Sequence, residues 1–412
     1  MNVIIIGAGI GGLTLALELH DAGIRARVYE AAPHIKPLGV GINILPHASR
    51  VLARHGVVDA LAAVGVVTRQ AAYYNRFGQL IYLEPAGRHA GYDYPQLSLH
   101  RGDMQQVLLG AVRDRLGSDA VVMDHICTGV DQDENGARAS FRSTADDTPL
   151  PSQRADVVIA CDGIHSVVRK QFHPDEGDGV YSGVNMWRGA TTSESFLTGA
   201  TMVRAGWLTT GKMVIYPIRK ADHEGNQLIN WVAEVETPRR LRRDWTREGD
   251  LADFIDRFED WHFDWLDVPA LIKATDAVLE YPMVDQDPLD RWSFGRVTLL
   301  GDAAHPMVPR GSNGAGQAIL DARALREELA RGGDVVQALQ AYESRRLPAT
   351  AQVVLANRRN PPDAILREVW QRTGDRPFAN AEDVISSKEL DAISANYKAV
   401  AGYSHEALRD GA

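Results

Sequence analysis

The chain opens on an apolar, β-branched run without alternation, Val3 to Ile6. That pattern predicts a short strand covered on both faces. Leu13 to Ala22 then has helical periodicity and stops at Gly23, and Arg27-Val28-Tyr29-Glu30 resumes as a second strand. Ala155 to Ala160 and Arg296 to Leu300 are further runs of the buried-strand kind. Between them the pattern changes to alternation over Val184–Thr191, Met213–Ile218, Leu228–Val235 and Val278–Met283. Half-buried strands of a mainly antiparallel sheet alternate in this way. Residues 73–96 predict a hairpin about Asn75-Arg76-Phe77-Gly78. Helices are predicted over Asp250–Phe263, with Leu251, Phe254, Ile255 and Phe258 on one face, over Gln317–Leu329, and over Gln337–Leu355. Pro361-Pro362 forces a break, and the tail from Asp363 is helical, polar and carries no motif.

Composition narrows the class. The 412 residues are 45% hydrophobic and 24% charged, a globular mix with ample length for a core. A formal net charge of −10 argues against nucleic acid or an anionic membrane as partner. Cys127 and Cys161 are the only cysteines, which suits a reducing cytoplasm, and no metal-ligand spacing occurs. Met1 to Leu17 carries no charge, yet it lacks a basic flank, and glycines 7, 9, 11 and 12 interrupt it. It is therefore neither an export signal nor a membrane span. A soluble, cytoplasmic protein is expected.

Those glycines carry the first chemistry. Gly7, Gly9 and Gly12 stand in the G-x-G-x-x-G register between strand and helix. Such a turn brings backbone against a pyrophosphate, which the helix N-terminus attracts. Glu30, eighteen residues after Gly12, can accept both hydroxyls of an adenosine ribose and would repel a 2′-phosphate. Asp162 and Asp302 end the two later buried strands, where open α/β sheets bind ligands. After Asp302, the loop Pro306–Asn313 leads to Gly314-Ala315-Gly316 and a second helix N-terminus, which favours negative charge. A nicotinamide dehydrogenase has no use for that second cradle.

The turn with Glu30, the segment Asp162-Gly163-Ile164-His165-Ser166-Val167-Val168-Arg169 and the segment Gly301-Asp302-Ala303-Ala304-His305-Pro306-Met307-Val308-Pro309-Arg310-Gly311 together resemble the single-component FAD-dependent aromatic monooxygenases, the p-hydroxybenzoate and salicylate hydroxylase type. Pro37-Leu38-Gly39-Val40-Gly41-Ile42-Asn43-Ile44 is similar to that family's loop beside the isoalloxazine, and His100-Arg101-Gly102-Asp103 to its Arg-bearing helix start. Within the family, Asn185-Met186-Trp187-Arg188-Gly189 and Tyr281-Pro282-Met283-Val284-Asp285 bring the chain nearest to the methylphenazine-carboxylate monooxygenase type. The resemblance implies an α/β fold. A Rossmann-like FAD-binding domain (1–72, 97–175 and 286–345) takes an inserted antiparallel β-sheet substrate domain (73–96 and 176–285) and ends in C-terminal helices (346–412).

It also implies non-covalent, tightly bound FAD held by Gly7, Gly9, Ile10, Gly11, Gly12, Glu30, Ala31, Gly41, Arg101, Cys127, Asp162, Asp302, Gly314, Ala315 and Gly316. NAD(P)H visits as transient donor, O2 adds at flavin C4a, and the resulting hydroperoxide hydroxylates a carboxylated aromatic or heteroaromatic ring, with decarboxylation open. Arg188 and Arg310 are candidates for the substrate carboxylate, with a sheet ion pair and solvent exposure as their ordinary alternatives. Pro309 would offer a carbonyl, while Tyr216, Trp231 and Met283 are candidate cavity walls. Seven of the eight tryptophans, Trp187 to Trp292, fall in or near the alternating strands and suit either an aromatic cavity or the packing of the sheet. His305 is expected to orient Asp302 or the loop, and Asp162 to tie the flavin and nicotinamide entrances together.

Two positions depart from the family. His47 replaces a common Asn and is expected at a solvent-facing helix start, the alternative being the flavin loop; Gly316 also replaces an Asn. A same-fold flavin reductase that does not use O2, or a flavin-loaded binding protein, are the competing functions. Monomer and homodimer both remain open.

Overall fold

The computed structural model describes residues 1–35, 40–238, 248–359 and 363–410. Pro37-Leu38-Gly39 of the expected flavin loop, Trp245 and the Pro361-Pro362 break lie outside these residues. The opening run forms the strand Asn2–Ile6, with Val3 to Ile6 at most 3% exposed. It pairs in parallel with Arg25–Tyr29 on one side and Val157–Ala160 on the other. Val297–Leu299 extends the sheet beyond Val157–Ala160. All their carboxyl ends therefore point one way, toward the ligand edge of a doubly wound sheet. The helices Ile10–Asp21, Arg101–Leu116 and Gly314–Ala330 pack on it.

The alternating segments build a seven-stranded sheet in the order Leu279–Asp285, Val180–Glu194, Asn226–Glu236, Gly211–Pro217, Thr201–Trp207, Gln70–Tyr74 and Leu80–Pro85. Every pairing is antiparallel except Thr201–Trp207 with Gln70–Tyr74. The predicted hairpin supplies the last two strands, turning through Asn75–Gln79.

The helix expected over Asp250–Phe263 does not form. Leu251–Asp253 and Ile255–Arg257 are 3-10 turns, and His262–Phe263 is a short strand. Ile255, Phe258 and Trp261 are buried at a spacing of three, which suits 3.0 residues per turn and not 3.6. The apolar face was legible; the period was not.

The C-terminal segment corrects a second expectation. It is helical over Ala364–Thr373 and Ser387–Ala401, but Ile365, Leu366, Val369, Ile385 and Leu390 are buried against Ala71, Tyr73 and Ile81 of the seven-stranded sheet. Charge fastens the same contact. Lys212 Nζ lies 2.7 Å from Glu234 and 2.5 Å from Asp363, and Arg204 Nε lies 3.1 Å from Asp363. All four side chains are at most 10% exposed. Among the described residues, no helix is long and apolar enough to cross a membrane.

Lys212→Ala leaves Glu234 and Asp363 buried without their shared cation. Breaking a buried pair from one side costs about 3–5 kcal/mol. A denaturant titration of the variant should show a loss of that order; a loss below about 1 kcal/mol would mean that the cluster does not fasten the tail.

Candidate functional site

At the end of the first strand the backbone closes on itself. Gly7 has φ +100°, and a Cβ there would lie 2.5 Å from the Cys161 carbonyl oxygen. A Cβ on Gly12 would lie 2.0 Å from the Gly7 oxygen, so any larger residue would force the turn open. Gly9, by contrast, faces nothing within 4 Å. It starts the helix Ile10–Asp21, which no side chain caps. An open backbone face at an uncapped helix end is a ready anion site. Glu30 accepts hydrogen bonds from Ala8 N at 2.7 Å and Ala32 N at 2.9 Å, so its carboxylate stands over the turn beside Ala31.

Asp162 sits at the end of Val157–Ala160. Its Oδ2 accepts from Val167 N at 3.0 Å, while Oδ1 is buried without a hydrogen-bond partner and burial pushes its carboxyl up. An orphaned buried oxygen at that edge fits a ligand's donor. Cys127 lies in the core, its thiol pushed up to about 12 by burial, so it offers backbone and bulk but no thiolate. Arg101 is exposed at the start of its helix and donates its backbone N–H to Val40 O at 3.0 Å.

The second helix N-terminus is also free. Its first bond runs from Gln317 N to Asn313 O at 2.8 Å, which leaves the N–H groups of Gly314, Ala315 and Gly316 pointing out of the helix end. Asp302 Oδ1 lies 3.8 Å from the Cβ position of Gly314. His305 does not orient Asp302. Its Nε2 pairs with Asp321 at 2.6 Å, and Arg346 Nε reaches the same carboxylate at 2.7 Å. Burial would raise the Asp321 carboxyl, but these two partners outweigh it and hold it below the usual range. The loop between strand and helix is therefore anchored from beneath.

His47 is not solvent-facing. It is 2% exposed, lies parallel to Tyr403 with ring centroids 5.5 Å apart, and neither ring nitrogen has a hydrogen-bond partner. Burial, assisted by the Arg346 charge, pushes its imidazole down to about 3. A Cβ on Gly316 would lie 3.0 Å from His47 Nε2. The two departures from the family pattern thus touch, and the histidine fills the room that the glycine leaves.

The face of the seven-stranded sheet turned toward this edge is set by register. Tyr73 pairs with Arg204, Arg204 with Val214, Val214 with Val232, and Val232 with Arg188. Met202, Tyr216 and Asn230 belong to the neighbouring row on the same face. Arg188 Nη2 donates to Gly41 O at 3.2 Å, its Nε is buried without a partner, and no ion pair to it is found among the described residues. Gly41 N donates to Asn230 Oδ1 at 2.7 Å, and the Tyr216 hydroxyl lies 2.7 Å from the Gly41 Cβ position. Gly41, Arg188 and Tyr216 are therefore brought together.

Trp231 is not a cavity wall. It lies opposite Ile215 on the other face, fully buried, with Nε1 donating to Thr275 Oγ1 at 2.8 Å. Trp187 and Trp261 share that far core, with Phe254 and Phe258. In Val180–Glu194, Gly211–Pro217 and Asn226–Glu236 strand parity sends odd positions there, a signal available once Tyr216 and Trp231 are aligned. Met283 is 1% exposed and packs behind Val308 of the loop. Pro309 is exposed, whereas the Arg310 side chain is 8% exposed and faces Glu234 at 3.9 Å. Arg310 is accordingly buried beside the charge cluster rather than solvated, and its Nη2 has no hydrogen-bond partner among the described residues.

A cavity, partly open to solvent, lies between the sheet face, the end of the strand Gly41–Ile44 and the C-terminal segment. Tyr73, Tyr92, Tyr397 and Tyr403 line it with Met202 and Arg204, and Gly311 brings the loop to its edge. Sequence reasoning missed all six side chains. Four come from a hairpin and a tail that carry no motif.

The family described as FAD binding domain matches residues 1–357. Phenazine 1,6-dicarboxylic acid hydroxylase of Lysobacter antibioticus is 42% identical over 410 residues, covering 98% of each chain. The 6-hydroxynicotinate 3-monooxygenase of Pseudomonas fluorescens is 31% identical, over 91% of this chain and 93% of its own. The structure of Klebsiella pneumoniae HpxO with FAD and uric acid aligns at a TM-score of 0.71 and 24% identity, covering 100% of this chain and 95% of that one. The last likeness speaks for the fold alone.

Two outcomes are expected at His47. Its lowered pKa means that the unfolded chain binds a proton between about pH 3 and 6.5 that the folded chain does not. Stability should be fully present above pH 6.5 and fall toward pH 3, by about 1.4 kcal/mol per pH unit from this group. Urea titrations across that range should show His47→Asn losing this slope; an unchanged slope would contradict a buried neutral ring. Gly316→Asn should collide with His47 and lower FAD retention, and the double variant with His47→Asn should restore it.

Proposed function

The chain belongs to the family described as FAD binding domain and is a FAD-dependent aromatic monooxygenase, and on that premise we propose that it hydroxylates a planar aromatic or heteroaromatic carboxylic acid at the expense of NAD(P)H and O2. The residues present suit the cofactor: the open face at Gly9, the carboxylate of Glu30, the orphaned Asp162 Oδ1 and the uncapped helix at Gly314. When bound, FAD supplies the acceptance of hydride and the activation of oxygen.

The observation that carries the substrate class is the charge behind the cavity wall, the wall's own Lys398 and Glu84 being paired with each other at 2.7 Å. Arg204, Lys212 and Arg310 face Glu234 and Asp363, three cations against two carboxylates, which leaves one positive charge uncompensated. Arg204 is the member of that cluster that lines the cavity. A carboxylate arriving there supplies the missing anion, and guanidinium geometry favours a bidentate grip. The tyrosine rings select a flat partner by stacking and give it apolar surroundings. A ring seated between sheet and tail sheds water from the faces it buries, which would limit loss of activated oxygen as H2O2. The phenazine dicarboxylate, hydroxynicotinate and aminohydroxybenzoate named for the relatives are all flat ring acids.

Purified FAD-loaded protein with NADH or NADPH in air should consume nucleotide faster when the right ring acid is added. Hydroxylated product, with or without its carboxylate, should appear by mass spectrometry. Arg204→Gln should raise KM for the acid at least tenfold and erase its advantage over the corresponding amide, with FAD content unchanged. If no ring acid accelerates oxidation and reduced protein gives no oxygen adduct in rapid mixing, a reductase is the better reading.

A further inference from the structure

The family match ends at residue 357, yet part of the cavity wall comes from beyond it. Tyr397 and Lys398 from the helix Ser387–Ala401, and Tyr403 from the turn that follows, face the sheet across the cavity. These residues are tied to both halves of the site. Tyr397 Oη accepts from Asn313 Nδ2 at 2.8 Å and donates to Asn357 Oδ1 at 2.9 Å. Gly311 approaches so closely that a Cβ would lie 1.8 Å from that hydroxyl. The loop before Gly314 is thereby pressed against the tail.

Tyr403 is fixed by two contacts. Its ring stacks on His47, and its carbonyl accepts from Tyr92 Oη at 2.8 Å. Tyr92 in turn stacks on His405, with centroids 4.0 Å apart and planes within 6°. Gln317 Nε2, on the loop-side helix, donates to Ala401 O at 3.2 Å, and Arg50 Nη1 donates to Leu408 O at 2.8 Å. A tail held only for stability needs its buried Ile365, Leu366 and Val369. It has no need of a second set of aromatic contacts ending in the cavity.

We propose that this C-terminal segment is the substrate-selecting wall, with Tyr403 setting how many fused rings fit and Tyr397 acting as a positioning residue that fixes the wall's distance from the loop. Tyr403 is a rigid plate with two soft torsions, stacked from behind by His47, so a flat ring system entering the cavity meets a wall that does not yield. Removing the ring lengthens the cavity; enlarging it shortens the cavity. The proposal rests on the reading of the cavity as a ring-acid site.

The test is equilibrium binding to the FAD-loaded full chain, read from flavin difference spectra without turnover. The probes are benzoate-, quinoline- and phenazine-carboxylates, of one, two and three rings. Tyr403→Ala should raise the preference for three rings over one, as a ratio of Kd values, at least tenfold relative to the unmodified protein. Tyr403→Trp should lower the same ratio, and Tyr403→Phe should keep it. Tyr397→Phe should weaken FAD rebinding to the apoprotein about three- to tenfold, because the loop loses its hold through Asn313. Ratios within twofold of the unmodified protein for both Ala and Trp would overturn the proposal. If the unmodified protein binds no ring acid, the proposed function fails first, so the two failures are told apart. Should Tyr403→Ala not load FAD, Tyr403→Trp and Tyr403→Phe still decide the matter.

Discussion

Asp363 lies between Lys212 and Arg204, its carboxylate taken from water and met by cations from two neighbouring strands of the sheet. Burial would push that carboxyl up, but the cations outweigh the penalty and hold it below its usual range. A charge removed from water must be paired in place, because the cost of leaving it unpaired exceeds what most single contacts return. The start of the C-terminal segment is therefore fixed to one point of the sheet. Everything that the tail contributes downstream, from Tyr397 to Tyr403, inherits its position from that point.

A comparable constraint acts on the loop that faces the cofactor. Asp321 receives His305 and Arg346, and Asn313 is held through Tyr397 to Asn357. The loop is gripped from the nucleotide side by an ionic group and from the tail side by a neutral hydrogen-bonded chain. The helix end at Gly314 can stay uncapped because its geometry does not depend on a cap. Cavity, loop and tail form one set of contacts, and the surplus positive charge of the cluster faces the place where a substrate acid would lie.

Motifs within one strand–turn–helix unit were legible. Gly7 and Gly12 make the tight turn and the close helix–strand approach that their spacing predicts, since their contacts are to residues of the same turn or the adjoining strand. Trp231 shows where this ends. Its residue type suits an aromatic wall, but a one-residue shift in parity decides which face it joins, and parity is settled by the register of Asn226–Glu236 against Gly211–Pro217. Asp250–Phe263 shows the same for period: Leu251, Phe254, Ile255 and Phe258 also satisfy a 3.6 repeat, and only the packed neighbours fix the 3-10 turns.

By itself, then, the sequence determined the two-sided burial of the opening strand, the nucleotide turn and the carboxylates at the strand ends, because each rests on short-range geometry or on a fixed spacing, and its resemblance to a known family added the flavin class. The tertiary structure decided the substrate side. Arg204, Tyr73, Tyr92, Tyr397 and Tyr403 meet in one cavity from strands, a loop and a tail separated by more than 300 residues. His47 turned inward because Gly316, on a different helix, left it room. Such meetings follow from packing across the fold, where burial and charge pairing choose partners that no local pattern specifies.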